Sequence, residues 1–394
     1  MDPSLFIAGR LRFKGGIAMT CIAVSFLVMI VAVSVSSGFR HEIRNGLSVV
    51  SGDVRITPPD RNVMDESHPV EADPRYLADV LDLEEVDRII PVVYRAGIVR
   101  TDGNVYGVLF KGVPDAEFPV FTADTSALSI CIPRSFAQSA GLVPGDRITS
   151  YFVGEKVKAR QFNVASVYDS MIETDDRMIV YAPLREMQRL NGWTESQVSS
   201  LEVMLDEDVK DEKHIKEAAE EIGTLINLLS DEDEADVIAL SSVAEYPQLF
   251  GWLDMIDFNV FFILVLMTVV AGFNMISGLL IMLFENISTI GLLKSLGMTD
   301  RAIAKVFLSS SAVLTAKGMA IGNALAIIFC VVQNLTHVLK LDPENYFVSF
   351  VPVRMDPALV AVADVAAFAA IMLLLLIPCL FISKVDPAQT VRVK

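Results

Sequence analysis

The sequence predicts a membrane protein: four transmembrane helices, with one large α+β extracytoplasmic domain inserted between helices 1 and 2. Three observations predict it. Four apolar stretches, near Ile17–Ser36, Asn259–Phe284, Val306–Val332 and Ala358–Ile382, are each long enough to cross a ~30 Å hydrocarbon core as a helix. The mostly polar residues between the first two stretches are far too many for a loop. Charge is also unevenly divided. The chain carries a formal −17, yet residues 37–255 hold 20 Lys/Arg against 40 Asp/Glu, which leaves the remainder slightly basic.

Each element follows in order. Residues 1–14 combine Leu5, Phe6, Leu11 and Phe13 with Arg10, Arg12 and Lys14, the pattern of a short interfacial helix. The first span is assigned to 15–36. The alternative is a cleaved signal peptide, since a basic run precedes the apolar one. Against it, the apolar run is long and Ser36-Ser37-Gly38-Phe39 is a poor cleavage site. A domain with stalks is assigned to 37–257, the second span to 258–284, a connector to 285–300 and the third span to 301–332. A loop at 333–357, the fourth span at 358–383 and a tail at 384–394 complete the chain. Arg10, Arg12, Lys14, Lys294, Arg301, Lys305, Lys384, Arg392 and Lys394 flank the spans on one side. The positive-inside rule makes that side cytoplasmic, with both termini on it and the acidic domain opposite.

After span 1, Phe39, Ile43, Leu47 and Val50 keep helical spacing, so the helix is predicted to continue as a stalk. Tyr246, Leu249, Phe250, Leu253, Ile256 and Val260 do the same on entry to span 2. Ser242 to Glu245 reads as a capping box for that helix, and Pro247 as a bend in its first turns. Two such stalks would couple the domain to the membrane; equally, the stripes would only pack the domain's base. Within the domain, 88–100 and 105–112 flank a Thr101–Asn104 turn and read as a hairpin. Further strands are predicted at 129–133, 147–152, 159–167, 178–181 and 200–205, and helices at 74–83, 183–190 and 211–229.

Enzymatic signatures are absent: no Walker loop, no His-Glu-x-x-His, no calcium loop and no intramembrane catalytic pair. No metal, cofactor or nucleic-acid site is expected in this chain. Cys21, Cys330 and Cys379 fall within spans and Cys131 stands alone, so no disulfide framework is available. Two features carry weight instead. A short helix at about 287–296, closed by Gly297 and followed by the cap Thr299, presents Ile290, Leu293 and Leu296. Such an apolar face docks into a partner, or else rests on the membrane surface. Lys317 lies mid-span 3, with Asp364 of span 4 as a candidate partner. An intramembrane charge is a functional candidate, although snorkelling or burial against another subunit also accounts for it. In the same span, Gly318 and Gly322 form a helix-packing motif.

The segment containing Glu285, Ile290, Leu293, Lys294, Leu296, Gly297 and Met298 resembles the Glu-x-x-x-x-Ile-x-x-Leu-[Arg/Lys]-x-Leu-Gly-[Ala/Met] pattern of the FtsX/MacB/Lol permease family of ABC systems. Gly38-Phe39-Arg40, Phe273-Asn274-x-Ile276 and the Pro387-Ala388 tail are similar to that family's elements at the same places, most of all to the lipoprotein-releasing branch. The resemblance implies a MacB-like periplasmic core domain and a coupling role for those seven residues toward a separate ABC ATPase dimer, which would hold the ATP and Mg. It further implies a second permease subunit (the same chain or another), a bacterial inner-membrane location, a lipoprotein cargo and a periplasmic carrier. The carrier would dock at 168–177 or 191–197. Phe39, Ile43, Leu253, Ile256 and Asn274 would lie along the cargo path or stalk. The alternative is a permease that transmits conformational change to an outer partner without moving cargo; a receptor lacking an ATPase fits the connector less well.

Overall fold

A computed structural model describes residues 16–60, 62, 67–101, 103–117, 128–154, 157–169, 178–206, 209, 211–230, 235–342, 346 and 348–379. The predicted interfacial helix at 1–14, most of the 168–177 segment and the tail at 384–394 lie outside the described residues. The predicted fold class holds. The chain divides into two compact units, each taken by itself below.

The helices, in chain order, are α1 (Gly16–Ser51), α2 (Leu77–Leu81), α3 (Arg134–Ala140), α4 (Leu184–Asn191), α5 (Glu212–Leu229), α6 (Ser242–Glu245), α7 (Pro247–Glu285), α8 (Ile287–Ser295), α9 (Asp300–Thr336), α10 (Pro357–Leu374) and α11 (Leu376–Cys379). The strands are β1 (Val54–Thr57), β2 (Val70–Glu71), β3 (Val86–Arg100), β4 (Val105–Val113), β5 (Ser129–Pro133), β6 (Arg147–Phe152), β7 (Lys158–Tyr168), β8 (Ile179–Pro183), β9 (Gln197–Val198), β10 (Ser200–Leu205) and β11 (Ile238–Ser241).

The first unit comprises Met1–His41, Trp252–Lys340 and Phe350–Lys394. Four of its helices are long and apolar enough to cross a membrane: α1, α7, α9 and α10 with α11. Ile22, Phe26 and Met29 of α1, Met275 and Leu279 of α7, Phe307 of α9 and Ile371 of α10 form one core. Lipid tails are as apolar as these side chains, so close approach rather than water exclusion holds such helices together. The Gly318/Gly322 pair supplies that approach. A Cβ at Gly318 would sit 2.7 Å from Ile22 Cγ2, and one at Gly322 2.8 Å from Phe26 Cβ.

The second unit comprises Glu42–Gly251 and Leu341–Ser349. Its nine-stranded sheet runs β11-β1-β10-β3-β4-β8-β5-β7-β6, and β6 also pairs with β3. The long β3 joins the two halves of this sheet. Val86 to Val92 pair with β10, while Val93 to Arg100 pair with β4. Because the end of β3 pairs with β6 as well, six strands close into a ring. Phe110, Phe152 and Phe162 cluster in its core. Gly97 makes room for them, since a Cβ there would lie 2.8 Å from the Phe110 ring. Helix α5 turns Ile215, Ala218, Ile222 and Ile226 inward and packs on β11 and β1.

Several expectations need correction. The predicted capping box at Ser242 is a separate four-residue helix capped by Ser241, whose hydroxyl accepts from the Ala244 N–H. Glu245 turns to Arg55 instead of closing the box. Pro247 starts α7, and at the first helical position its missing N–H loses no bond. Strands β1, β2, β9 and β11 were not predicted; the longest of them is four residues, too short to show a period. The stalk stripe Phe39, Ile43 and Leu47 is buried along α1, and Val50 half-buried.

Candidate functional site: the 285–300 connector, the 36–41 junction and a buried charge cluster

The connector is built by local rules. Helix α8 closes at Leu296, and Gly297 takes the left-handed conformation (φ 87°) that a β-carbon disfavours. The Gly297 N–H donates to the Lys294 carbonyl at 3.0 Å, and the Met298 N–H to the Leu293 carbonyl at 3.0 Å. That pair of bonds is a Schellman closure. Thr299 then caps α9 by accepting from the Ala302 N–H. Lys294 Nζ reaches Asp300 Oδ1 at 2.9 Å across the turn. Glu285 ends α7 and is exposed.

The apolar face of α8 differs from the predicted one. Ile290 is 1% exposed and belongs to the helix core, with Leu293 and Met298 packed against it. Leu296 is 76% exposed and Leu292 55%. The face left outward is therefore Leu292 and Leu296, one turn apart, while Ile290 and Leu293 anchor the connector. This nine-residue helix carries apolar residues on more than one flank, and spacing alone does not say which one the adjoining spans bury.

The Gly38-Phe39-Arg40-His41 element is a junction inside the first unit. Gly38 lets the Pro352 backbone cross α1, where any β-carbon would collide with the Pro352 carbonyl. Phe39 meets Trp252 edge to face at 5.7 Å. Arg40 pairs with Asp254 at 3.2 Å and with Asp257, which also accepts from the Ser36 hydroxyl. His41 Nδ1 contacts Arg354, whose backbone N–H donates to the Ser34 carbonyl at 3.0 Å. Of the residues predicted along a cargo path, Phe39, Ile43 and Leu253 are buried, and Ile256 and Asn274 half-buried.

Lys317 is exposed on α9. Its expected partner, Asp364, instead accepts from the Asn323 side-chain amide. Asn323 lies six positions beyond Lys317 on α9, and the shorter-reaching amide is the one opposite Asp364. Of the two candidate carrier segments, 191–197 is described. There Gly192 closes α4 with φ 77°, and Gln188 donates to the carbonyls of Glu195 and Gln197. Among the described residues, no group of three or more His, Cys, Asp or Glu is placed to hold a metal ion.

A cluster in the second unit went unpredicted. Lys111 of β4 and Glu202 of β10 form a fully buried pair at 2.7 Å. Tyr94 of β3 donates to Glu202 Oε1 at 2.5 Å. Arg55 of β1 pairs with Glu245 and lies 3.8 Å from Glu202. Burial holds the Lys111 amine below its usual range, with Glu202 opposing. Burial alone would lower the Arg55 value too, but Tyr94, Glu245 and Glu202 outweigh it and keep the guanidinium charged. Burial and the neighbouring Glu202 push the Tyr94 hydroxyl well up, so it remains a donor. These five residues come from five separate elements. No sequence spacing joins them; the one available hint was a lysine in the middle of an apolar strand.

A model of the FtsX-like permease C-terminal region matches residues 261–387, and one of the MacB-like periplasmic core domain matches residues 16–225, over half the chain. The chain belongs to the FtsX-like family of ABC permeases. The permease is 22% identical to the lipoprotein-releasing system transmembrane protein LolC of Xylella fastidiosa, covering 98% of this chain and 95% of that one. It is 23% identical to LolE of Haemophilus influenzae, over 93% and 91%. The crystal structure of the periplasmic region of MacB from Actinobacillus actinomycetemcomitans, 15% identical, covers 50% of this chain and 91% of that one with a TM-score of 0.33.

Proposed function

We propose that this permease is a subunit of an ABC complex that extracts lipoproteins from the bacterial inner membrane for transfer to a periplasmic carrier. The observation that carries the proposal is the likeness to lipoprotein-releasing permeases across both the spans and the domain, 98% of the chain. Two permease subunits, alike or different, would sit on a dimer of a separate ATPase. That partner would hold the ATP and Mg, and this chain would do no chemistry itself. The exposed face of the connector, Leu292 and Leu296, offers the ATPase an apolar contact. Helix α7 exposes Phe258, Phe261 and Phe262, a surface suited to acyl chains as well as bulk lipid. The placement of the cations supports a cytoplasmic connector and cytoplasmic termini.

Reconstitution tests the reading. Proteoliposomes holding the permease, its ATPase and a radiolabelled lipoprotein should release that lipoprotein only with ATP and the carrier. ATP turnover without release, under conditions that activate an outer partner enzyme, would instead favour the signalling alternative. Orientation has its own check: Glu220→Cys should label from outside intact cells and Thr299→Cys should not, both sites being exposed. Native Cys131 will not interfere. It is buried, and burial pushes its thiol up to about 11 despite the hydrogen bond from Ser166, so it carries almost no thiolate at neutral pH. Labelling of Thr299→Cys from outside would overturn the orientation.

A further inference from the structure

Helix α1 ends inside the second unit, and its last carbonyls need partners. They find an unusual one. Lys111 Nζ donates to the Val50 carbonyl at 2.7 Å and lies 3.4 Å from that of Val49. The Tyr94 hydroxyl, which gives its proton to Glu202, lies 3.3 Å from the Val50 carbonyl. On the other side, Asp53 Oδ2 accepts from the Ser48 hydroxyl at 3.0 Å and from the Leu205 N–H at 2.9 Å. The turn itself is tight against β10, since a Cβ at Gly52 would sit 2.9 Å from Glu202 Cβ. The end of α1 is thus bonded to β4 through Lys111 and tied through Asp53 to β10, with the Tyr94 hydroxyl of β3 alongside.

A buried ion pair is a weak way to stabilise a fold, because desolvation offsets most of the attraction. Water or a surface side chain would satisfy the carbonyls equally well. A buried ammonium held by a carboxylate adds direction: its bonds fix the rotation and axial position of the helix end against β4 and β10, which apolar packing alone would leave free to slide. We propose that Lys111, oriented by Glu202 and Tyr94, is the positioning residue that transmits movement of α1 to the large domain. The inference rests on the ATP-driven reading above and deepens it.

The test uses the full permease–ATPase complex in nanodiscs, with spin labels on Glu220→Cys and Thr299→Cys. The double variant K111M/E202Q removes both buried charges and nearly conserves volume, and it leaves the Arg55–Glu245 pair in place. Val164→Ala, in the buried core of the strand ring, serves as a control of lowered stability with the helix end untouched. In the parent complex and in V164A, ATP should change the interlabel distance. In K111M/E202Q, ATP turnover should persist while that change falls to less than half, and lipoprotein released per ATP should drop at least fivefold. A full distance change in K111M/E202Q overturns the proposal. Should that variant not fold, Y94F decides: a reduced distance change supports the proposal and an unaltered one refutes it. A parent complex that moves with ATP but releases no lipoprotein would sink the cargo reading alone and leave this one standing.

Discussion

Two helices of this permease, the short α8 and the long α1, end in contrasting ways. The closure of α8 is written within a few residues: Lys294, Gly297, Thr299 and Asp300 bond to one another or to adjacent backbone. Helix α1 ends on groups drawn from positions 53, 94, 111, 202 and 205. The first end is assembled from weak, solvent-near contacts and can be re-formed locally. The second needs the whole β-structure in place, and it places charge where no water can screen it. A helix end that must be displaced by a partner is served by the first design, and one that must carry a load by the second.

The sharpest way to break this contrast is to remove half of a pair at each end. Glu202→Ala strands Lys111 in a buried site and takes one carboxylate from Arg55, and removing one partner of a buried pair costs about 3–5 kcal/mol. Lys294→Ala removes a pair whose Asp300 is half exposed, worth less than about 1 kcal/mol. Denaturant unfolding of the purified full chain, followed by domain fluorescence, should separate the two variants clearly. Equal midpoints would mean the buried cluster is not a stability element of the domain.

A second contrast concerns close approach. Gly322→Leu forces a bulky side chain against Phe26 and the Ala23 carbonyl, and such overpacking typically costs 1–3 kcal/mol. Gly107→Ala meets nothing within 4 Å and should leave thermal stability in detergent unchanged. Next in size is the connector's turn. Gly297→Val imposes a β-branched residue on φ 87°, a penalty of roughly 1–2 kcal/mol, which should appear as faster proteolysis between α8 and α9 while the spans stay intact. No change in cleavage would show that the turn relaxes to another conformation.

These cases also explain how much of the molecule was legible in its sequence. Span positions, the β3–β4 hairpin, the Gly297 stop and the Thr299 cap follow from runs, periods and single-residue backbone preferences, all local. The ring closure of β3 on β6 depends on strands some fifty residues apart, and nothing in either strand announces it. The same holds for Lys111, whose partner Glu202 lies on a strand that was predicted, but with no indication of its neighbours. Ile290 is an intermediate case: that a short helix with apolar side chains would form here was legible, but which flank would be buried depended on residues such as Leu279, Leu283 and Ile303 in other helices.

The smallest expected effect on the fold tests the connector most directly. Leu296 is three-quarters exposed, so Leu296→Asp should leave thermal stability and membrane insertion as they are. Leu292→Asp, on the same outward face, should behave likewise. In a complex that seats this face on an ATPase, either carboxylate would be buried without a partner, at a cost of a few kcal/mol, or roughly a hundredfold in affinity at 2.7 kcal/mol. Co-purification with the ATPase should therefore fail for both. Ile290→Asp is the counterpart: it puts charge into the helix core and should destabilise the permease before any partner is added. If Leu292→Asp and Leu296→Asp both retain the ATPase at parent levels, the outward face of α8 is a lipid or solvent surface, and the contact with the ATPase must be sought elsewhere on the chain.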